Sequence, residues 1–413
     1  MMTTYGGPGR RIDFLLSRFK PHLWPLIRRR LWSVCVVYFF AAELAQPQAL
    51  ADVDSTGFSP GGIRDFVAYW AAARLLLSGA NPYSPSNLLT LQRSVGMTEA
   101  TPLIMWNPPW TLAFIWPFGF LDFSTGQFVW LILNVFLVMF ASHRLLQLYG
   151  RTEDKAGAAW ILAFTFVPAV YSLILGQITP VILFCLTIFL IFDRKQCWLG
   201  VSAVLILMSI KPHFVYVFWI MFALWFWRHP HRLIILGAGI IGAIACLFPV
   251  FFDPDIYAHY IAVYQSGDYL KPLDLPVPSL RNVLIRLFKI DGSLIEHLPT
   301  AAGAIWSLIY WRRHRSHWVW KDHLPLLLLV SIVTSPYSWT YDHIVLLPAI
   351  IQAYTWLRGR VGGVMMGYLS FNGAYLAARY IVPVDFWYFW MAPLFLSVYL
   401  WLGKNHRSQT IAD

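Results

Sequence analysis

"WNPPWTLAFIWPFGFL", residues 106–121, is apolar enough to count as a membrane span, and whether it is one decides the topology of the whole chain. Pro108, Pro109 and Pro117 interrupt it, and each removes a backbone donor and kinks any helix that runs through it. Around it lies a chain of 413 residues that is 58% hydrophobic and 12% charged, with apolar runs recurring from Leu31 to Trp401. Such a composition describes an all-α, polytopic membrane protein and excludes a soluble domain. A net charge of +11 would suit nucleic acid, but Lys and Arg stand in short clusters between apolar runs, where they set topology. The four cysteines, Cys35, Cys185, Cys197 and Cys246, form no CxxC pair, so neither a metal site nor a disulfide framework is expected.

About 12 transmembrane helices are expected, near residues 25–50, 125–147, 156–174, 177–193, 198–210, 213–228, 232–252, 294–310, 323–336, 340–357, 361–380 and 385–402. They form a single transmembrane domain, 25–403, between a cytoplasmic N-terminal segment, 1–24, and a cytoplasmic tail, 404–413. With this set, most of the 31 Lys and Arg residues fall on the cytoplasmic side, as the positive-inside rule demands. Counting 106–121 as a further span would invert every later loop. It is therefore expected to be a re-entrant or broken segment, and irregular backbone at membrane depth survives only where protein or a water-filled cavity satisfies it.

The outer face then receives the loop 52–124, the hairpins "GQITP" and "KPHF", the loop 253–293, the hairpin "SPYSWTYDH" and the segment "RYIVPVDFW". These are the polar and aromatic parts of the chain, so a site is expected there. Within the first outer loop, residues 63–78 are too few to span, and Gly79, Asn81 and Pro82 stop them, so a helix lying along the interface is expected. Asp65 stands at its head, with Tyr69 four residues on and on the same face. By itself Asp65 reads equally as a first-turn carboxylate favoured by the helix dipole or as a general base. Asn107 and Gln177 read as interhelical hydrogen-bonding groups or as substrate contacts. Lys211, His213, His343, Arg281, Arg286 and Arg379 are the outer-face groups that could meet an anionic leaving group, although Arg281 and Arg286 read first as interfacial anchors and only second as phosphate contacts. Tyr341, Asp342 and His343 form a polar, aromatic cluster with Trp339.

"DFVAYWAAARLLLSGANPYSP", "WNPPWTLAFIWPFGFL", "LILGQITPVILFCLTIFL", "LMSIKPHFVYVF", "PVPSLRNVLIRLF" and "SPYSWTYDHIVLLPAI", in this order from about residue 58 to about 350, resemble glycosyltransferase family 87. That family belongs to the GT-C superfamily and includes a polyprenyl-phosphate-mannose-dependent phosphatidylinositol mannoside mannosyltransferase. The resemblance implies the GT-C fold and an inverting transferase that moves a hexose, mannose above all, from a polyprenyl-phosphate sugar to a glycolipid or glycan acceptor outside the plasma membrane. It further implies that Asp65 is the general base, that His343 belongs to the catalytic outer hairpin, and that Lys211 and His213 belong to a second polar hairpin. Asp342 is a rival carboxylate for the base.

The chemistry agrees with one carboxylate. An acceptor hydroxyl must lose its proton as it attacks the anomeric carbon, and a positioned Asp is a suitable base. A lipid phosphate leaves as an anion, so no second carboxylic acid is required. No D-x-D or H-E-x-x-H pattern occurs, and no metal or other cofactor is expected. The competing readings are an arabinofuranosyl or other sugar transferase with the same donor type and, in a different class, a lipid or glycan transporter. A transporter would be expected to carry inverted repeats with paired broken spans. Only one broken segment is legible here, and no second half mirrors it.

Overall fold

The computed structural model describes residues 64–150, 156–288, 294–357 and 361–412. The expected cytoplasmic segment 1–24 and first span 25–50 lie outside the described residues. Every described element is helical. In chain order the α-helices are α1 (Arg64–Leu77), α2 (Pro85–Ser94), α3 (Leu112–Ile115), α4 (Phe123–Tyr149), α5 (Ala156–Phe164), α6 (Val167–Ile174), α7 (Thr179–Lys195), α8 (Trp198–Met208) and α9 (Tyr216–Arg228). There follow α10 (Arg232–Phe252), α11 (Ile256–Gln265), α12 (Leu280–Phe288), α13 (Leu298–His314), α14 (Trp320–Thr334), α15 (Leu347–Trp356), α16 (Val361–Ile381) and α17 (Met391–Ala412).

Among the described residues, three helices are long and apolar enough to cross a membrane: Phe123–Tyr149, Arg232–Phe252 and Asp385–Ser408. Their outward faces are the ones lipid would cover. Phe128, Ile132 and Phe136, four apart along α4, are 64%, 52% and 59% exposed, and a row of large apolar side chains on one helical face is a lipid-facing signature. The expected span 156–174 is instead a pair, α5 and α6, bent by 70°. Pro168 opens α6, and the break frees the Val167 N–H, which donates to Asn372 Oδ1 at 3.1 Å. The expected spans 198–210 and 213–228 are α8, with 11 residues, and α9, with 13. At 1.5 Å per residue these measure about 16 and about 20 Å, short of about 30 Å of hydrocarbon. Among the described residues, the expected count of about twelve crossings thus meets three helices both long and apolar enough to cross and a set of less apolar, shorter or broken ones.

The segment 106–121 is broken as its prolines require. It forms a 3₁₀ turn at Pro109–Thr111, then α3, then a 3₁₀ turn at Trp116–Phe120. These twelve helical residues advance only about 20 Å, too little for a crossing. The segment wraps α1: Arg74 Nη1 donates to the Gly119 carbonyl at 2.9 Å and Trp70 Nε1 to the Leu121 carbonyl at 3.0 Å. A Cβ on Gly119 would lie 2.8 Å from the Ala73 backbone, so the approach demands glycine.

Helix α1 matches the expected boundaries but not the expected surroundings. A helix lying on the interface leaves one face to lipid, whereas Phe66, Ala71, Ala72, Ala73 and Leu76 are each 0% exposed. The alanines explain it, since their small side chains let neighbouring segments close around most of the helix and leave Arg74 exposed. The helix ends in two hydrogen bonds, Gly79 N–H to the Leu76 carbonyl and Ala80 N–H to the Leu75 carbonyl, both at 3.0 Å. The loop 253–293, expected as plain loop, carries α11 and α12.

Two local devices fix the elements that flank the site. Gly176, at φ +67°, turns the chain between α6 and α7, and the turn's carbonyls are fully used: Leu175 accepts from Asp65 N–H at 2.9 Å and Gly176 from Trp130 Nε1 at 2.8 Å. A β-branched residue in the left-handed region costs about 1–2 kcal/mol, so Gly176→Val should lower the thermal unfolding temperature measurably and reduce activity by displacing Gln177. Asp122 caps α4 by accepting the Thr125 N–H at 2.9 Å, and that bond holds its carboxyl below the usual 3.8. A depressed folded-state value stabilises above the unfolded-state value and is lost as pH falls through the folded one. Asp122→Ala should therefore lower the melting temperature at neutral pH, and the gap from wild type should close below pH 3.8, as read in a melting series across pH.

Candidate active site

Five segments far apart in sequence meet at one polar cluster: the head of α1, the chain at 106–107, the 175–179 turn, the 209–213 turn and the 335–343 hairpin. At its centre are two carboxylates joined through an amide and an ammonium. Gln177 Nε2 donates to Asp65 Oδ2. The other end of the same amide, Gln177 Oε1, accepts from Lys211 Nζ at 3.3 Å, and Lys211 donates in turn to Asp342 Oδ1 at 2.6 Å. The two carboxylates that were rivals on sequence grounds therefore belong to one network.

They differ in environment. Asp342 is 0% exposed and saturated: Oδ1 accepts from Lys211 and from Thr179 Oγ1 at 3.0 Å, and Oδ2 accepts from the Trp339 N–H at 3.0 Å. A buried carboxylate persists only when paired and hydrogen-bonded, and this one is both. Asp65 keeps partial exposure and is aimed by Gln177, while its own N–H is tied to Leu175. Tyr69 is buried beside Trp130 within the field of both carboxylates, and burial first, Asp65 second and Asp342 third push its hydroxyl well above the ordinary tyrosine value.

The other expected residues fall into two groups. Asn107, Lys211, His213 and Tyr341 line the partly exposed side of the cluster. Asn107 Nδ2 donates to the Ile210 carbonyl at 3.2 Å, and Lys211 Nζ lies 4.8 Å above the Tyr341 ring. His213 stacks on Tyr337 at 3.8 Å between centroids, and its buried Nε2 has no hydrogen-bond partner among the described residues. His343, by contrast, is 0% exposed, with both ring nitrogens unpartnered among the described residues, so it stands behind Asp342 and not on the open side. Arg379, 4% exposed, is paired with Asp385 and sandwiched by the Tyr171 and Tyr388 rings. Asp385 also accepts from Thr340 N–H and Oγ1, both at 3.1 Å, so this ion pair pins the hairpin that carries Asp342. Arg281 is paired with Glu296 and donates to the Leu273 carbonyl at 2.9 Å. Arg286 lies over the Phe386 ring at 5.0 Å.

Thr179 and Tyr337 were not singled out from the sequence. Thr179 stands two residues after Gln177 in the same hairpin, which is the one signal that could have drawn attention to it. Nothing local marks Tyr337 beyond its place in an aromatic hairpin. Among the described residues no group of three or more His, Cys, Asp or Glu side chains could hold a metal ion.

Lipid-facing helices around a polar, carboxylate-bearing cluster describe a membrane protein with an internal site built for a polar substrate. A family model for glycosyltransferase family 87 matches residues 106–336. That is more than half of the chain, and the chain belongs to this family: it is a membrane glycosyltransferase with a sugar donor and an acceptor. No curated protein and no solved structure matches it. The matched stretch contains Asn107, Gln177, Lys211, His213 and Arg281, whereas Asp65, Tyr69 and the 337–343 residues lie outside it and reach the cluster through the tertiary fold.

Proposed function

We propose that the chain is an inverting GT-C-type transferase that moves a hexose, mannose foremost, from a polyprenyl-phosphate sugar to a glycolipid or glycan acceptor on the outer face of the plasma membrane. Asp65 is the general base. The observation that carries this assignment is the contrast between the two linked carboxylates: Asp342 is fully buried and saturated, whereas Asp65 is partly exposed and aimed by Gln177. A base must reach the proton it removes, and only the exposed member of the pair can approach a substrate.

In the reaction the acceptor O–H gives its proton to an Asp65 oxygen as its oxygen bonds to the anomeric carbon. The bond from that carbon to the phosphate oxygen breaks with its electron pair, and polyprenyl phosphate leaves as an anion. One displacement gives inversion. Lys211 neutralises Asp342, keeping the buried charge balanced beside a carboxylate that must stay ionised. His213 and Asn107, on the partly exposed side, are the groups we assign to the leaving phosphate, where donors fixed in a water-poor setting act most strongly. Arg281 and Arg379, already ion-paired, hold the surrounding loops. No metal or other cofactor enters this reading.

Mixing the purified full chain with a panel of polyprenyl-phosphate sugars and crude acceptor lipids, then reading lipid products by mass spectrometry and anomeric configuration by NMR, tests it. One donor should yield a new glycolipid of inverted configuration. Product formed from nucleotide sugars alone would overturn the lipid-phosphate donor.

A further inference from the structure

Adjoining the carboxylate cluster is an aromatic surface that the reaction above does not use. Tyr257, Tyr260 and Tyr264 recur at three- and four-residue steps and so share one face of α11, while Ile256 and Val263, on the adjoining flank, are buried in the core, against which Tyr257 and Tyr260 also pack. Two of the hydroxyls are spent on fixing the helix. Tyr257 donates to the Cys246 carbonyl at 2.9 Å and Tyr260 to the Trp106 carbonyl at 3.1 Å. Tyr264 is left 41% exposed, edge-on to Trp106 at 6.2 Å, with the Lys271 ammonium 4.8 Å from its ring centroid. The surface runs into the cluster at two points. Trp106 precedes Asn107, which is bonded to the residue before Lys211, and Tyr337 is within electrostatic reach of Tyr260 and Tyr264 while stacking on His213.

We infer that this tyrosine face of α11, together with Trp106 and Lys271, is a binding platform for a pyranose ring of the acceptor, which it holds with the reacting hydroxyl toward Asp65. The inference rests on the glycan-acceptor reading given above. The exposed ring of Tyr264 beside the half-exposed Trp106, steadied by Tyr257 and Tyr260, whose hydroxyls are committed, offers a flat apolar face that matches the C–H face of a pyranose, and Lys271, over the Tyr264 ring, offers donors to its hydroxyls. Few polar groups placed around aromatic walls is the usual composition of a site for a small polar ligand.

Saturation-transfer NMR titration tests it, with the full chain in a detergent lacking a sugar headgroup and with methyl α-D-mannopyranoside and methyl β-D-glucopyranoside as probes. Wild type should bind at least one of them at millimolar concentration. Tyr264→Ala should weaken that binding roughly three- to tenfold, and Tyr264→Phe, which keeps the ring, should restore it. Tyr264 is exposed, so truncation opens no core cavity. Equal affinity in Tyr264→Ala, or no binding of either glycoside by wild type, would overturn the platform and leave these tyrosines as an interfacial belt. No donor is present in the titration, so its outcome is independent of the turnover assay, whose failure would count against the proposed function alone.

Discussion

Asp65→Asn should lower kcat for sugar transfer by about 10²–10⁴-fold and leave the melting temperature close to wild type. Asn has the same size, and its side-chain oxygen can still accept from Gln177 Nε2, while the Asp65 N–H bond to Leu175 involves backbone alone. What is lost is the ability to take a proton. The magnitude is that of a positioned base in the transition state. Product formation measured by mass spectrometry, with thermal unfolding as the control for folding, checks it. Full turnover in a folded Asp65→Asn protein would transfer the base role elsewhere, and Asp342 would then have to exchange its three hydrogen bonds for a substrate contact.

Lys211→Met should be the most damaging change to stability in the cluster. It strands the Asp342 carboxylate at 0% exposure with the loss of a 2.6 Å ion pair. Removing one partner of a buried pair costs about 3–5 kcal/mol, because an uncompensated charge remains in a low-dielectric setting. The pair itself is worth far less, since both charges were desolvated to form it. Lys211→Met combined with Asp342→Leu should therefore recover a large part of the lost stability, as thermal unfolding of the two single variants and the double variant would show. Activity should not return with stability, because Gln177 Oε1 loses its ammonium donor and Asp65 its fixed setting. Additive losses in the double variant would mean that the two side chains do not act as a pair.

Much of the helical organisation was legible because its signals are local. The prolines at 108, 109 and 117 predict a broken segment, and the chain there is broken into short turns. Gly79, Asn81 and Pro82 stop α1 where they should. The lengths of several expected spans were not legible. Hydropathy integrates over a window and does not register that Pro168 opens a new helix at 70° to the last one, nor that a run of apolar residues holds only an 11-residue helix. The burial of α1 was hidden for a related reason: Ala-rich composition suits a surface helix and a tightly enclosed one equally, and only the packing partners separate them.

The residue types of the site were visible one at a time. Asp65, Gln177, Lys211 and Asp342 could each be named from polar positions in apolar surroundings, and the family assignment needs only local patterns within 106–336. Sequence alone thus determined the solvent, the helical class and the family, because composition, periodicity and short ordered stretches are properties of neighbouring residues. Which carboxylate is buried and which is reachable, and that Arg281 and Arg379 are committed to Glu296 and Asp385, were decided by the tertiary structure. The pairing of Lys211 with Asp342 spans 131 positions and that of Gln177 with Asp65 spans 112. Over such separations charge balance and burial depend on which loops the helices bring together, and no local pattern encodes that.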